Sequence, residues 1–269
     1  MVKKISMLAA GLLCVCMLTG CGKEAKKINS ADDLPGATIG VQLDTTGDVY
    51  ATDLEKTPEE GKPAAKINRY DAGAEAVNAL EQGKVDCVII DNEPAKVFVE
   101  KHSGLRILPD PFADEDYAIA VKKGNTELVD KINAALDELE QDGTLQKIIG
   151  NYIGDDTKGS YKYTSPADVT RANGTLVMAT NAAFPPYENI DTDTGDIVGI
   201  DVDIMQSVCD KLGMKLEIKD MKFEEILPAV QSGRADVGVA GITVDEDRLK
   251  VVDFTKSYAK GKQVIIVKD

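Results

Sequence analysis

The chain has 269 residues, of which 43% are hydrophobic and 29% are charged, with 46 acidic and 31 basic side chains. This length is enough for one large or two modest domains with packed cores. The formal net charge of −15 argues against nucleic-acid binding and against docking of the folded surface on anionic lipid. Because His102 is the single histidine, histidine-based triads, zinc sites and haem ligation are improbable, and we expect neither metal nor cofactor.

Residues 1–21 have the pattern of an export signal. Two lysines precede an apolar run from Ile5 to Leu18, which is too short to span a bilayer but suits a secretion signal. A buried N-terminal helix is the alternative. The run ends in LTGC, which resembles the lipobox of bacterial lipoproteins. That resemblance implies a signal peptide over 1–20 and lipid attached to Cys21, which would anchor the protein on the outer face of the cell membrane.

Two of the five cysteines, Cys87 and Cys209, would remain free in the mature chain. Cys87 lies in an apolar, strand-like segment and Cys209 lies on a predicted helix. We expect both to be buried small hydrophobic residues rather than a disulfide or a nucleophile.

After a polar tether, strand-like and helix-like patterns alternate along the chain. The predicted strands are 38–43, 85–90, 175–180 and 235–240, and the predicted helices are 74–82, 200–212 and 223–231. Between the two halves, 128–153 predicts two amphipathic helices interrupted at Asp142-Gly143, and 154–173 is a polar connector. This alternation predicts an α/β fold in which mostly parallel sheets are flanked by helices.

One pattern occurs in both halves. LEQGKVDCVIID (80–91) and VQSGRADVGVAG (230–241) share a helix end, a glycine, a basic residue, a small apolar residue, an aspartate and a strand. Two generic helix–strand units could match by coincidence, or the two lobes could be built alike. In open α/β sheets ligands bind beyond the carboxyl ends of strands, which here are Asp91 and 241–243.

Two segments near these strand ends carry polar groups that could bind an anion. The hydroxyls and helix-start N–H groups of DTTG (44–47) could do so, or the segment could form an ordinary turn and helix cap. Arg248, five residues after Thr243, could hold a carboxylate through two parallel hydrogen bonds. The alternative is a surface arginine paired with Asp245 or Glu246.

The polar residues at two further strand ends each allow two interpretations. Asp91 ends an apolar strand, so that its carboxylate either caps a turn or receives a cation. In ATNAAFPPYE (179–188) the strand runs into Asn181, and two prolines stiffen the loop that holds Phe184. A rigid turn with a core phenylalanine explains that segment equally well.

Taken together, ATNAAFPPYE, GIDVDIMQSVCDKLG, FEEILPAVQSGRADVGVAGITVDEDRLKVVDFTKSY, GATIGVQLDTTGD, VDCVIIDNEP and AIAVKKGNTELVDKINAALDELEQDGT resemble the extracellular amino-acid-binding proteins of ABC importers, solute-binding protein family 3. The resemblance implies a two-lobed, type II periplasmic-binding-protein-like fold with the ligand cleft between the lobes. In that family the segment that resembles 174–269 ordinarily comes first, so the chain resembles a circularly permuted member.

On that fold we expect a lipidated cysteine and tether at 21–35, lobe 2 at 36–115, a hinge crossover at 116–122, and lobe 1 at 123–269 with the connector at 154–173. In this arrangement the crossover strand is the single covalent link between the lobes. We therefore expect a looser hinge than in an unpermuted relative.

The resemblance also implies roles for ligand-binding residues. Arg248 would clamp the α-carboxylate of an amino acid, helped by Thr243 and the N–H of Gly241, with Ala240 beside them. Asp91 would take the α-ammonium, which makes its buried charge reasonable.

The remaining roles concern the facing lobe and the ligand side chain. Thr45 and Thr46 would add donors, Phe184 and Phe223 would sandwich the side chain, and Asn181 would bind its polar end. Since Asn181 is uncharged, we expect a neutral polar amino acid.

Asp44 stands where the family often has glycine, and its carboxylate could crowd the carboxylate subsite or point into solvent.

These features predict a monomeric substrate-binding lipoprotein, not an enzyme, that delivers a free amino acid to an ABC permease and its ATPase. A sensor for a receptor, a dehydratase or lytic glycosidase on the same fold, and a ligand-free scaffold are the alternatives. A cleft enzyme would need a general acid, and Asp91 is better used as a cation partner.

Overall fold

The computed structural model describes residues 26–269, so the predicted signal peptide and the lipid attachment at Cys21 lie outside the described residues. The helices are α1 (Thr46–Lys56), α2 (Gly73–Glu81), α3 (Asn92–Lys101), α4 (Thr126–Gln141), α5 (Thr144–Ile153), α6 (Ile200–Leu212), α7 (Phe223–Ser232) and α8 (Arg248–Val251). The strands are β1 (Thr38–Gln42), β2 (Lys66–Tyr70), β3 (Cys87–Asp91), β4 (Leu105–Ile107), β5 (Ala113–Lys122), β6 (Thr175–Thr180), β7 (Ala183–Phe184), β8 (Glu188–Ile190), β9 (Ile197–Val198), β10 (Lys215–Asp220), β11 (Val237–Gly238) and β12 (Val252–Lys268). Within 26–269, no helix is long and apolar enough to cross a membrane.

One continuous sheet forms both lobes, and its two halves have the same strand arrangement. In lobe 2 the order is β2–β1–β3–β12–β4, and in lobe 1 it is β10–β6–β11–β5–β12. The first three strands of each half are parallel, whereas the fourth is antiparallel to its neighbours. The predicted α/β fold with helix-flanked, mostly parallel sheets is confirmed, and apolar clusters fill the faces of each half.

The sequence repeat forms the same hydrogen bonds in both lobes. Asp86 precedes β3, donates its N–H to the carbonyl of Thr38 at 2.7 Å and accepts the N–H of Thr38 at Oδ2, also at 2.7 Å. Asp236 precedes β11 and exchanges the same two bonds with Val177, at 2.9 and 2.8 Å. The aspartate therefore ties β3 to β1 in lobe 2 and β11 to β6 in lobe 1, which explains its place in both copies of the repeat.

Two long strands, and not one, run between the lobes. β5 and β12 lie antiparallel from the Val252–Lys122 pair to the Gln263–Ala113 pair. Beyond this stretch β12 continues into lobe 2, where it pairs with β3 and β4. The assignment of all of 123–269 to lobe 1 is wrong for residues 263–268, and so is the single covalent link. The apolar VIIV segment inside β12 supplies the fourth strand of the lobe 2 sheet.

The tether and the connector both pack on the folded lobes. The predicted tether is too long, because Ile28 and Leu34 are buried in the lobe 2 core with Ile265 and Val267. In the connector, Tyr163 packs partly buried on the lobe 1 core.

Cys87 and Cys209 are buried and free, as predicted.

We predict that Gly261→Ala destabilises the protein. A Cβ at Gly261, on β12, would overlap the phenol ring of Tyr117 on β5, which is fully buried and has no space to retreat. Overpacking of this kind costs about 1–3 kcal/mol. Since about 2–4 °C corresponds to each kcal/mol, thermal denaturation should show a midpoint lowered by several degrees. Lys262→Ala, an exposed neighbour, is the control, and equal midpoints for the two variants would contradict the close approach of the two strands.

Candidate functional site

The carboxyl ends of the parallel strands of both lobes meet at one cleft. The side chains and backbone that line it are those of Gln42, Thr45, Thr46, Asp91, Asn181, Phe184, Phe223, Ala240 and Gly241. Thr243 and Arg248 border the cleft through contacts with Thr46 and Asp44. The fold thus brings together all ten of the candidate ligand-binding residues, together with Gln42, which the sequence analysis missed.

The two lobes touch across the cleft. Within residues 26–269, these hydrogen bonds join them: Gln42 Nε2 to Asn181 Oδ1 at 2.9 Å, Thr46 Oγ1 to Thr243 Oγ1 at 3.0 Å, Arg248 Nη2 to the Asp44 carbonyl at 2.9 Å, and Lys222 Nζ to Asp71 Oδ2 at 2.6 Å. The cavity behind them has a volume of about 10 Å³, which is the space of one water molecule. A molecule larger than water can therefore enter only when these contacts part.

A wider groove opens beside this cavity. It has a volume of about 620 Å³, runs between α1 and α7, and includes Thr46, Phe223 and Arg248. The groove connects the solvent with the guanidinium group at the edge of the cleft.

Arg248 is buried, with 9% of its surface exposed, and groups from both lobes contact it. Its Nη1 donates to the Thr243 carbonyl at 2.9 Å and its Nη2 to the Asp44 carbonyl at 2.9 Å. Its Nε lies 3.2 Å from Asp245 Oδ2, and the guanidinium carbon lies 5.6 Å from the centre of the Phe223 ring. The pairing with Asp245 matches one of the two alternatives from the sequence, but the arginine is buried at the cleft and not on the surface.

The DTTG segment forms the start of α1. Thr45 is its N-cap, since Thr45 Oγ1 accepts the N–H of Asp48 at 3.4 Å and donates to the Gln42 carbonyl at 2.8 Å. Asp44 has φ +61°, in the left-handed region that favours glycine. Since Asp44 is exposed, its carboxylate does not crowd the cleft. The hydroxyl that reaches the cleft is that of Thr46.

The N–H of Gly241 does not serve the role predicted for it. It donates to Asp201 Oδ2 at 2.9 Å, so it is directed away from a ligand carboxylate. Gly241 has φ +55°, and a Cβ there would lie 2.8 Å from the Phe184 ring. The glycine is required for this turn and for the close approach of Phe184.

The two phenylalanines and Asn181 border the cavity on the lobe 1 side. Phe184 is buried and stacks on Tyr187 with ring centres 5.6 Å apart. Phe223 presents a face to Arg248. Asn181 uses both ends of its amide, because Nδ2 donates to the Met221 carbonyl at 2.9 Å and Oδ1 accepts from Gln42. Opening of the cleft would free Asn181 Oδ1 and one N–H of Gln42, whose Nε2 also donates to the Asp71 carbonyl at 3.1 Å.

Asp91 lies in a buried polar cluster that the sequence analysis missed. Its side chain does not cap α3; Tyr117 donates its hydroxyl to Asp91 Oδ1. Beside it, Gln263 Nε2 donates to Glu115 Oε2 at 3.1 Å. Burial raises the pKa of Asp91, and burial together with the negative charge of Asp91 raises the pKa of Glu115 to about 8. The signal for Glu115 was the alternation of ADEDY, in which Glu115 and Tyr117 face inward between exposed aspartates.

A second buried acidic pair supports the turn at Gly241. Glu188 and Asp201 are fully buried, and neither oxygen of Glu188 has a hydrogen-bond partner among the described residues. Burial raises the pKa of Asp201 to about 6. Burial and the negative charge of Asp201 raise the pKa of Glu188 well above its ordinary value. The pair is therefore stable with a proton on Glu188, which leaves Asp201 free to accept from Gly241.

The model of a protein family, the bacterial extracellular solute-binding proteins, family 3, matches residues 46–155 and 176–269, more than half of the chain. The ABC transporter glutamine-binding protein GlnH of Bacillus subtilis is 32% identical over 136 residues, covering 50% of this chain and 47% of that protein. The probable histidine-binding protein of Neisseria gonorrhoeae is 34% identical over 90 residues, covering 34% of this chain and 33% of that protein. The chain thus spans half or less of the length of these curated relatives.

Among solved structures, an ancestral arginine-binding protein bound to arginine is 48% identical over 30% of this chain and 35% of that one, with a TM-score of 0.29.

We predict that Glu188→Gln makes the protein less sensitive to alkali. Both carboxyl groups of the pair have raised pKa values in the folded state, so that the contribution of the pair to stability is greatest below about pH 4 and falls as pH rises through about 6 and above. The amide keeps the shape of the side chain but removes one titrating group. The stability of the variant relative to wild type should therefore increase between pH 5 and 9, by up to about 1.4 kcal/mol per pH unit. Melting temperatures measured across this range should show the same trend.

Glu217→Gln, on the exposed edge strand β10, is the matched control and should follow the wild-type profile. Melting profiles for Glu188→Gln and wild type that run parallel across this range would contradict a proton held on Glu188.

Proposed function

The chain belongs to the bacterial extracellular solute-binding proteins of family 3, and we propose that it is the substrate-binding lipoprotein of an ABC importer. In this proposal it captures a free amino acid between its lobes outside the cell, acts as a monomer without enzymatic activity, and delivers the ligand to a membrane permease driven by an ATPase.

One observation carries the proposal: opposite charges face the same cleft from opposite lobes. Arg248 belongs to lobe 1, is buried, and can turn its planar guanidinium from backbone carbonyls to a carboxylate. Asp91 belongs to lobe 2 and is buried at the end of β3. A zwitterion that bridges them holds the lobes together through both of its charges.

Hinge closure follows from this arrangement. The closed cleft holds Arg248 and Thr46 through contacts to Asp44 and Thr243, which an amino-acid carboxylate would replace with charge-assisted hydrogen bonds. Because those bonds form fully when both lobes surround the ligand, binding favours closure. β5 and β12 are the two strands that bend.

We propose a neutral polar amino acid as the ligand. The wall around the cavity offers the amides of Gln42 and Asn181 and the rings of Phe184 and Phe223, and among the residues that line it Asp91 is the one charged side chain. Paired amides satisfy an uncharged polar group by donating and accepting at once. Curated relatives are named for binding glutamine, arginine, histidine and cystine, so the family supplies several candidates.

We also propose that the chain is circularly permuted. Two observations support this. The family model matches two separate blocks, while each curated relative aligns with about half of the chain or less. In addition, Ile28 near the start of the described residues and Val267 near the end of β12 belong to the same buried apolar cluster, so both segments lie in lobe 2.

We predict that one or two α-amino acids stabilise residues 22–269 in a thermal-shift screen of all twenty. A ligand present at about 1,000 times its dissociation constant adds about 4 kcal/mol, which corresponds to a rise of several degrees. Arg248→Ala should abolish the shift, since it removes the carboxylate partner. Arg234→Ala, an exposed arginine in the lobe 1 repeat, is the matched control and should keep it. Absence of any shift from folded protein would overturn the amino-acid assignment.

We predict that Cys21→Ala releases the protein from the membrane. Lipid on the cysteine contributes about 0.8 kcal/mol per buried methylene, which is the whole anchoring energy in this proposal. Fractionation of cells, with radiolabelled palmitate to follow the lipid, should show labelled wild type in the membrane fraction and unlabelled variant outside it. Cys16→Ala is the control, and membrane retention of the Cys21 variant would contradict the anchor.

A further inference from the structure

Two strands that link the lobes place buried acceptors directly beside Asp91. Glu115 on β5 is 4% exposed, and Gln263 on β12 is fully buried. Gln263 Nε2 binds Glu115 Oε2, but Glu115 Oε1 and Gln263 Oε1 have no hydrogen-bond donor within the described part of the chain. Buried acceptors without a donor are costly, and a buried carboxyl pair is costlier still unless a cation or a proton joins it.

We propose that Glu115 is a second anionic residue of the α-ammonium subsite, and that an amino acid bound there displaces a proton shared by Glu115 and Asp91. The inference rests on the proposed function. An ammonium group carries three N–H donors and one positive charge, which fit the open oxygens of Glu115 and Gln263 together with the Asp91 carboxylate. Glu115 is thus a specificity-determining residue, because it favours ligands that carry a protonated amine.

Displacement of the proton by the ammonium group conserves both charge and protons. Before binding, one carboxyl and one carboxylate share a single proton, as expected for two acids held side by side. When the ammonium enters, both acids are ionised beside one cation, and the proton passes to solvent. No bond other than O–H is broken, and no co-reactant is needed.

The surroundings of Glu115 favour the protonated acid before binding. Burial and the charge of Asp91 raise the pKa of Glu115 to about 8. The groups that face it are Asp91 at the end of β3, Tyr117 on β5, Tyr50 on α1, Arg248 on α8, and the uncharged Gln263 and Thr243. Arg248 is the one cation among them, and it is engaged with Asp245 and two carbonyls.

Two measurable consequences follow. At pH 7 each bound amino acid should release close to one proton. Affinity should also rise with pH, by about tenfold per unit at most. It should level off near pH 8, where Glu115 is already ionised in the ligand-free protein.

The test is isothermal titration calorimetry at pH 7 in phosphate and in Tris, with the amino acid that gives the largest thermal shift as the probe. The difference between the two apparent enthalpies counts the protons released. The N-acetylated form of the same amino acid, which lacks the ammonium, serves as the negative ligand and should neither bind measurably nor release a proton.

Glu115→Gln preserves the shape of the side chain and should bind about 10- to 100-fold more weakly at pH 8, with no proton release and a flat pH profile. Asp114→Asn, the exposed neighbour on the same strand, is the matched control and should behave as wild type. Because proton release is measured on the wild-type protein, the test does not depend on the variant's folding.

The outcomes separate the two proposals. Proton release near one, lost in Glu115→Gln, supports the second anion. Tight binding by the wild type without proton release overturns the role of Glu115 while the amino-acid-binding function stands. Absence of binding by every amino acid overturns the function, and the ammonium subsite with it.

Discussion

The antiparallel pairing of β5 and β12 is the constraint on which the rest of the molecule depends. These strands run through the sheet in opposite directions, and each is the fourth strand of the lobe into which it leads. Their pairing fixes both half-sheets with carboxyl ends facing each other, and it brings Glu115, Tyr117 and Gln263 beneath the cleft. The two strands that link the lobes are therefore also the floor of the cleft, so any bending of these strands moves the side chains beneath the cleft directly.

Periodicity predicted the elements that repeat a simple pattern. The helix of residues 200–212 and the strand of 175–180 match α6 and β6 at both ends, because each has an uninterrupted apolar pattern and a clear boundary residue. β12 was not predicted, since Gly261 and several lysines interrupt its apolar pattern. Its strand conformation comes from pairing with β5 and β3, which are distant in sequence, and a local pattern cannot contain that information.

In the candidate site, too, some features could be predicted from the sequence and others could not. Arg248, Thr46 and Asp91 could be located because each lies at or after the carboxyl end of a strand, where parallel sheets collect polar groups. The functions of individual backbone groups could not be predicted in this way. The N–H of Gly241 is bound by Asp201, and Thr45 is occupied as a helix cap, because partners for both are chosen by packing. Glu115 was missed since it lies near the start of β5, away from any carboxyl end, and its contacts depend on which neighbours the sheet places beside it.

The position of β12 has a consequence for how the protein comes to be folded. Lobe 2 takes most of its sheet from residues 38–107, but the strand between β3 and β4 is the end of β12. Asp91 on β3 pairs with Gln263, which is distant in sequence. Contacts so far apart in sequence form slowly and late. The core of lobe 2 therefore cannot be completed before residues 263–268 are in place, and both lobes should become stable together.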